Sequence, residues 1–203
     1  MDPTGPPLPE HGAPADRLAG GRVLVVCTGN ICRSPYVERR LCSLLAGSGV
    51  SVRSAGTSAA VGRPMSVESG QRLAALGGDA SGFSARQLDE DLVAEADLVV
   101  TAARAHVAPV VRLHLPALRR TFALADLADL LSGVPAEQVR ATSGDTRAGR
   151  VAALAVARRG LVVPRRVADA DIVDPIGRPP RVYDRMVREV EAVLPSVVAA
   201  LRA

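Results

Sequence analysis

A run of four apolar residues near the start of the chain places the strongest limit on its fold. Residues 23–26 are Val-Leu-Val-Val, between Arg22 and Cys27, and no polar residue alternates with them. A strand with one solvated face alternates apolar and polar residues, whereas a strand buried on both faces does not. The run therefore predicts a central strand of a parallel sheet that is covered by helices on both sides.

The rest of the chain continues with short apolar runs and longer helical patterns in alternation. The further elements predicted are strands at residues 50–53, 98–100 and 121–124 and helices at residues 34–45, 66–76, 90–95, 105–113, 126–131 and 182–201. Strands that alternate with helices of this length predict an α/β fold. We expect an open, parallel, four-stranded sheet flanked by helices on both faces, with right-handed connections.

Two segments do not follow this alternation. Residues 1–21 are rich in Pro and Gly and are predicted to form a disordered N-terminal arm. Residues 133–170 are charged and interrupted by Gly, with one predicted helix at 150–158, and we interpret them as an insertion. Residues 22–203 are predicted to form a single domain that includes this insertion.

The composition argues against several protein classes. The three cysteines lie within sixteen residues, which is not the pattern of a secreted disulfide framework. No apolar run approaches the ~20 residues of a membrane span, and the N-terminus does not resemble a secretory signal. The net charge of +4 comes with no basic cluster and only 2% aromatic residues, which argues against nucleic-acid binding. We expect a cytoplasmic protein with no membrane insertion; its oligomeric state is left open.

The segment directly after the first predicted strand contains the candidate chemistry. Residues 27–34 are Cys-Thr-Gly-Asn-Ile-Cys-Arg-Ser, so Arg33 follows Cys27 by six positions, and a helix is predicted next. A loop of this length can curl around one phosphate, with its backbone N–H groups and the positive helix end directed inward. Gly29 is expected to supply the unusual backbone angles of the curl. Arg33 can bind two phosphate oxygens with its planar guanidinium.

Cys27 is the candidate nucleophile of this loop. The positive surroundings favour the thiolate, which is the reactive form of cysteine, and Ser34 can donate a hydrogen bond to the sulfur. A cysteine at a strand end can also be simply a small buried residue, but the strand before, the helix after and the Gly and Asn within favour the functional interpretation. The other candidate phosphate-binding residues are Thr28, Gly29, Asn30, Ile31, Cys32 and Ser34.

The motif resembles the signature of the low-molecular-weight protein tyrosine phosphatases of bacterial type. Further stretches are similar to the same family: Ser54-Ala55-Gly56-Thr57, residues 85–88, residues 96–101, His106 and Asp174-Pro175. The resemblance covers about residues 22–132 and 170–202. It implies a flavodoxin-like fold and hydrolysis of phosphate monoesters, with protein phosphotyrosine as the expected substrate. It also implies that phosphate or other oxyanions bind in the loop and that no cofactor or metal is needed.

The resemblance further implies a two-step mechanism. Cys27 attacks phosphorus and forms a phosphocysteine, while Asp174 protonates the leaving oxygen and later accepts a proton from water. Asn30 and Ser54 would hold the loop in shape, and Cys32 would be able to pair with Cys27 after oxidation. From the residues alone, Asp174 is one of several candidates, favoured because Pro175 keeps it extended; the others are Asp169, Asp171 and Asp184.

Three positions depart from the family pattern and leave the substrate open. Ile176 and Ala60 stand where aromatic residues often wall the slot for a phosphotyrosine ring, and Phe83 replaces a common histidine. One alternative is a protein phosphoarginine phosphatase, in which a threonine takes the position of Ile31. Arsenate reduction would need relay cysteines, and none follows Cys42. The last alternative is an inactive module that only binds phosphorylated partners.

Overall fold

The computed structural model describes residues 19–203, and at its centre lies a sheet of four parallel strands. Their order is β2–β1–β3–β4. The strands are β1 (Arg22–Cys27), β2 (Ser51–Gly56), β3 (Leu98–Thr101) and β4 (Thr121–Ala123). The fold class predicted from the sequence, a parallel four-stranded α/β sheet of the flavodoxin-like type, is thereby confirmed.

Nine α-helices and two 3₁₀ turns accompany the sheet in the part of the chain that is described. The helices are α1 (Arg33–Leu44), α2 (Val67–Ala74), α3 (Glu90–Glu95), α4 (Val107–Leu113), α5 (Leu124–Leu131), α6 (Ala136–Ala141), α7 (Arg147–Ala157), α8 (Val167–Ala170) and α9 (Pro180–Arg202). The 3₁₀ turns are Arg104–His106 and Leu115–Arg120.

Strand β1 is buried on both faces, as its continuous apolar run predicts. Val23 and Val25 belong to the larger core, which α1, α5, α7 and α9 share. Leu24 and Val26 point to the opposite side, into a smaller core with residues of α3 and α4. Successive side chains of a strand point to opposite faces, so both layers of helices depend on this one strand.

Several predictions need adjustment at their ends, and Leu124, predicted as the end of the fourth strand, is instead the first residue of α5. The helix expected at 66–76 is shorter, because Ser66 is its N-cap and accepts a hydrogen bond from Ser69 N at 3.3 Å. The segment 105–113 divides into a 3₁₀ turn and α4. Pro109 is the third residue of α4, where a backbone N–H would have no partner within the helix, so the proline is tolerated there.

The segment 133–170 forms α6, α7 and α8. Helix α7 begins earlier than the predicted residue 150, because the Thr146 side chain caps it by accepting from Gly149 N at 3.0 Å. Its buried face, Val151 and Leu154 among others, joins the larger core. The segment 133–170, predicted as an insertion, therefore contributes residues to the larger core. The predicted N-terminal arm lies outside the described residues except for 19–21, where Gly21 O accepts a hydrogen bond from Ser51 N.

Candidate active site

The loop between β1 and α1 directs its carbonyl groups outward. The carbonyls of Cys27, Thr28, Gly29 and Ile31 accept hydrogen bonds from backbone N–H groups of residues 57, 58, 60 and 66, at 2.8–3.0 Å. Within residues 19–203, the backbone N–H groups of residues 28–33 donate to no protein acceptor. Buried N–H groups rarely lack a partner, and a run of them forms a concave site for an anion. We call residues 27–33 the phosphate loop.

The curl of this loop depends on Asn30 and Gly56. Asn30 has a φ of 52°, a left-handed conformation that Asn adopts more easily than most residues. The sequence expectation for Gly29 is wrong, since its φ is not positive. Gly56, at the end of β2, lets the loop approach, because a Cβ there would lie 2.4 Å from Thr28 O.

A chain of hydrogen bonds connects the backbone N–H of Arg86 to the Ser34 hydroxyl. Arg86 N can only donate, and it donates to Asn30 Oδ1 at 2.8 Å. The Asn30 Nδ2 group is therefore a donor, to Ser34 Oγ at 2.9 Å and to Ser54 Oγ at 2.8 Å. Because Ser34 Oγ already accepts, its own hydrogen has two acceptors within reach, Cys27 Sγ at 3.0 Å and Ala55 O at 3.5 Å. The shorter contact places a hydroxyl donor beside the Cys27 sulfur.

Glu38 ends this chain and was not predicted from the sequence. It lies on α1 and is 7% exposed, and its carboxylate accepts a hydrogen bond from Ser54 Oγ. Burial raises the pKa of Glu38 above its ordinary value, and the hydrogen bond from Ser54 opposes that shift. Glu38 thus connects the first turns of α1 to β2 and, through Ser54, to the predicted loop residue Asn30.

Arg33 and Asp174 lie side by side at the mouth of the phosphate loop. Arg33 Nη2 donates to Asp174 Oδ2 at 2.5 Å and to Thr28 Oγ1 at 3.4 Å. The Arg33 side chain is 7% exposed and that of Asp174 is 44% exposed. A planar guanidinium close to the N–H groups and a carboxyl beside it are suited to holding an oxyanion and moving a proton.

The segment 171–178, which we call the acid loop, is held at three successive residues before Asp174. Asp171 Oδ1 accepts from Arg104 N at 2.7 Å, and Ile172 N donates to Ala102 O at 2.8 Å. Val173 N donates to Glu189 Oε2 of α9 at 2.8 Å. Asp171 is therefore engaged with backbone, which separates its position from that of Asp174.

Two further side chains have shifted pKa values: His106, next to the phosphate loop, and Cys32, within it. His106 Nε2 lies 3.0 Å from Thr28 Oγ1, and burial, followed by the charge of Arg33, lowers the pKa of His106. Cys32 Sγ donates to Ser66 Oγ at 3.4 Å, and burial raises the pKa of the Cys32 thiol. Both groups are therefore expected to be uncharged near neutral pH.

The three family departures occupy different places. Phe83 is buried in the larger core, with the Arg39 guanidinium 5.8 Å from its ring centre, so it does not line the mouth. Ala60 lies beside the loop, because its N–H donates to Gly29 O at 3.0 Å. Ile176 is 52% exposed, two residues after Asp174. The walls of the mouth are therefore small or aliphatic.

No group of three or more His, Cys, Asp or Glu within the described residues is placed to hold a metal ion. None of the described helices has the length and apolar character of a membrane span.

A separate cavity of about 280 Å³ lies between β4 and residues 159–165. Its charged groups already have partners, since Arg104 pairs with Asp126, Arg165 pairs with Asp129, and Arg159 donates to Thr121 O, so we take the phosphate loop as the candidate site.

Comparisons with known proteins show the family of this chain. The family model for low molecular weight phosphotyrosine protein phosphatase matches residues 22–127. The Escherichia coli low molecular weight protein-tyrosine-phosphatase Etp is 37% identical over 94 residues, which is 46% of this chain and 62% of that protein. The chain thus spans less than two thirds of that relative's length.

Two similar solved structures cover most of the chain. The YwlE arginine phosphatase from Geobacillus stearothermophilus has a TM-score of 0.65 and 28% identity, over 90% of this chain and 93% of that one. The low molecular weight protein tyrosine phosphatase from T. tengcongensis has a TM-score of 0.64 and 25% identity, over 88% and 98%.

Proposed function

The chain belongs to the low molecular weight phosphotyrosine protein phosphatase family, and from this premise we propose that it hydrolyses phosphate monoesters through a phosphocysteine on Cys27. The observation that supports the proposal most directly is the set of backbone N–H groups from residue 28 to residue 33, which have no acceptor among the described residues. In the proposed complex these N–H groups donate to the three non-bridging oxygens of the phosphoryl group, which lies between Cys27 and Arg33.

The proposed reaction has two steps. The Cys27 thiolate attacks phosphorus, the ester P–O bond breaks, and Asp174 gives its proton to the leaving oxygen. Water then attacks the phosphocysteine, Asp174 accepts the proton, and inorganic phosphate leaves as the thiolate is restored. Ser34 supports both steps, because its hydroxyl hydrogen is available to the sulfur at 3.0 Å. Asn30 and Ser54 act through the loop, whose shape their hydrogen bonds maintain.

For the substrate we propose a phosphotyrosyl side chain of a protein, with phosphoarginine as the second candidate. Structures with both activities in their names resemble this chain: an arginine phosphatase at 28% identity and a tyrosine phosphatase at 25%. Ile31 favours the first candidate. It is partly buried against the larger core, and its bulk next to the phosphate crowds a branched guanidine more than a planar phenol.

A panel of substrates tests the proposal. Wild type and Cys27→Ser are compared on p-nitrophenyl phosphate in EDTA, and then on peptides with phosphotyrosine, phosphoarginine or phosphoserine. We expect the wild type to be active without metal, with the highest kcat/KM on phosphotyrosine, and the variant to be inactive while it still binds phosphate. Activity that required added metal, or that survived in Cys27→Ser, would refute the mechanism.

A further inference from the structure

The two segments on either side of the phosphate loop are basic: residues 57–66, and residues 175–183, which begin directly after Asp174 and run into the first turn of α9. Residues 57–66 and 175–183 include three arginines, Arg63, Arg178 and Arg181, and neither Asp nor Glu. All three arginines are exposed. Across residues 19–203, none of the three forms an ion pair.

Hydrogen bonds hold both loops close to the phosphate loop. Thr57 N donates to Cys27 O at 2.9 Å, and Arg63 closes a turn by donating its N–H to Ala60 O at 3.0 Å. On the other side, Asp174 contacts Arg33, and Arg178 closes a turn with Pro175 O at 2.9 Å.

Prolines stiffen the two loops further. Pro64 follows Arg63, and Pro179 and Pro180 lie between Arg178 and Arg181. Proline fixes φ, so these backbone segments lose little freedom when a ligand binds.

The lack of acidic partners is a local feature and not a property of the whole chain. The protein has 25 basic and 21 acidic residues, and elsewhere arginines have carboxylate partners. Examples are Arg40 with Glu191, Arg72 with Asp184 and Arg104 with Asp126. Asp174 at the mouth is paired with Arg33, so the three arginines without ion pairs give the rim of the mouth a positive potential, which attracts anionic groups over about a Debye length, ~8 Å at physiological salt.

Aliphatic side chains lie between these cations. Val61 is 66% exposed, two residues before Arg63, and Ile176 is 52% exposed, two residues before Arg178. The mouth thus offers aliphatic side chains near the phosphate loop and arginines around them. Such a surface is complementary to a protein segment in which the phosphorylated side chain is largely apolar and the neighbouring residues are negatively charged.

We propose that Arg63, Arg178 and Arg181 form an arginine rim that selects phosphorylated protein segments in which Asp or Glu flank the phosphorylated residue. The inference rests on the phosphatase activity proposed above and specifies its substrate. Rim charges act mainly on the rate of association and on its salt dependence. Each exposed pair changes binding only a few-fold, so we expect about a tenfold higher kcat/KM for an acidic segment than for its neutral counterpart.

The test uses two phosphotyrosyl peptides. The acidic peptide has Asp and Glu around the phosphorylated residue, and the neutral peptide has Asn and Gln at the same positions. The values of kcat/KM are measured at 0.05 and 0.5 M salt for wild type, for the triple variant Arg63→Gln, Arg178→Gln, Arg181→Gln and for Arg178→Gln alone. The matched control is Arg112→Gln, Arg119→Gln, two exposed arginines outside both loops. Hydrolysis of p-nitrophenyl phosphate is measured in parallel, because it tests the chemistry without the flanks.

We expect wild type and the control to prefer the acidic peptide at low salt and to lose most of that preference at high salt. The triple variant should show little preference, and Arg178→Gln an intermediate one. Two results would refute the role of the arginine rim while leaving the phosphatase proposal intact. One is equal kcat/KM for both peptides in a wild type that hydrolyses p-nitrophenyl phosphate. The other is a preference for the acidic peptide that the triple variant retains. A wild type that does not hydrolyse p-nitrophenyl phosphate would refute the proposed function, and the rim with it.

Discussion

At the scale of single residues, the candidate site is defined by backbone donors that have no acceptor among the described residues. Arg86 N–H fixes the orientation of the Asn30 amide, and the amide in turn donates to Ser34 Oγ, which leaves the Ser34 hydrogen for Cys27 Sγ at 3.0 Å or Ala55 O at 3.5 Å. The direction of the hydrogen bonds therefore follows from one group that can only donate. This directionality distinguishes the Cys27 site from a cysteine that is merely buried.

We predict that Asp174→Asn slows substrates with poor leaving groups far more than activated ones. A general acid typically raises the rate about 10²–10⁴-fold. Phenyl phosphate, with its poor leaving group, needs this help, whereas p-nitrophenyl phosphate needs it much less. The measurement is kcat for both substrates in wild type, Asp174→Asn and Asp171→Asn. Because Asp171 accepts from Arg104 N and an asparagine can also accept, Asp171→Asn should behave as wild type. The reverse pattern would assign the acid to Asp171.

Cys32 is predicted to protect Cys27 from irreversible oxidation. Peroxide converts the Cys27 thiolate to a sulfenic acid, and the Cys32 thiol then displaces water to form a disulfide, which dithiothreitol reduces. Burial raises the pKa of the Cys32 thiol, so we expect this capture to be faster at higher pH. Wild type should regain most of its activity after peroxide and dithiothreitol, and Cys32→Ser much less. Equal recovery, with no Cys27–Cys32 peptide in mass spectra, would exclude the protective role.

At the scale of elements, the long helix α9 positions the acid loop. Two carboxylates on its surface have different partners: Glu189 Oε2 accepts from Val173 N, next to Asp174, whereas Glu191 binds Arg40 and the Tyr36 hydroxyl of α1. Neither residue touches the phosphate loop, so each can affect the reacting groups only through its own partners. They therefore form a matched pair for separating loop positioning from general stability.

We predict that Glu189→Ala acts on protonation of the leaving group and Glu191→Ala on stability. Without Glu189, Val173 N loses its acceptor and Asp174 its fixed position, so kcat should fall more for phenyl phosphate than for p-nitrophenyl phosphate, with KM nearly unchanged. Glu189→Gln should restore most of the loss, because its amide oxygen can accept. Glu191→Ala should lower Tm without this dependence on the leaving group. If both alanine variants lowered kcat equally on both substrates, Glu189 would have no specific positioning role.

The elements near the motif were predictable because their signals are local. Residues 23–26 predict β1, and the adjoining motif predicts the loop and α1, so Cys27, Arg33 and Ser34 needed no knowledge of distant residues. Arg86 N and Glu189 could not be found in this way. Arg86 lies 56 positions from Asn30 and Glu189 16 positions from Val173. These contacts exist only once the sheet and α9 bring the segments together.

At the scale of the whole molecule, residues 133–170 complete the larger core. Helix α7 buries Ala148, Val151, Ala152, Leu154 and Ala155. Alanine is a weak hydrophobic signal, and glycines interrupt the flanking sequence, which is why the pattern predicted one helix but not its packing. The sequence therefore indicated an insertion, and the structure gives it a face within the same core as β1 and α9.

We predict that the insertion contributes to the stability of the whole domain. Leu154 is 4% exposed, and Leu154→Ala should lower the free energy of unfolding by about 2–5 kcal/mol, because it removes apolar contacts and leaves a cavity. Leu161, in the same segment, is 77% exposed, and Leu161→Ala should change the free energy of unfolding by less than about 0.5 kcal/mol. The measurement is urea unfolding of both variants. Equal, small effects would show that the insertion does not share the core.

The central claim is that Cys27 becomes phosphorylated during turnover, and trapping that intermediate tests it most directly. Wild type and Cys27→Ser are mixed with p-nitrophenyl phosphate, quenched with acid within milliseconds to seconds, digested and analysed by mass spectrometry. We predict a phosphate adduct on Cys27 in the wild type, formed with a burst of nitrophenolate, and no phosphocysteine in the variant. Rapid turnover without any adduct on Cys27, or an adduct on Cys32 instead, would contradict the account.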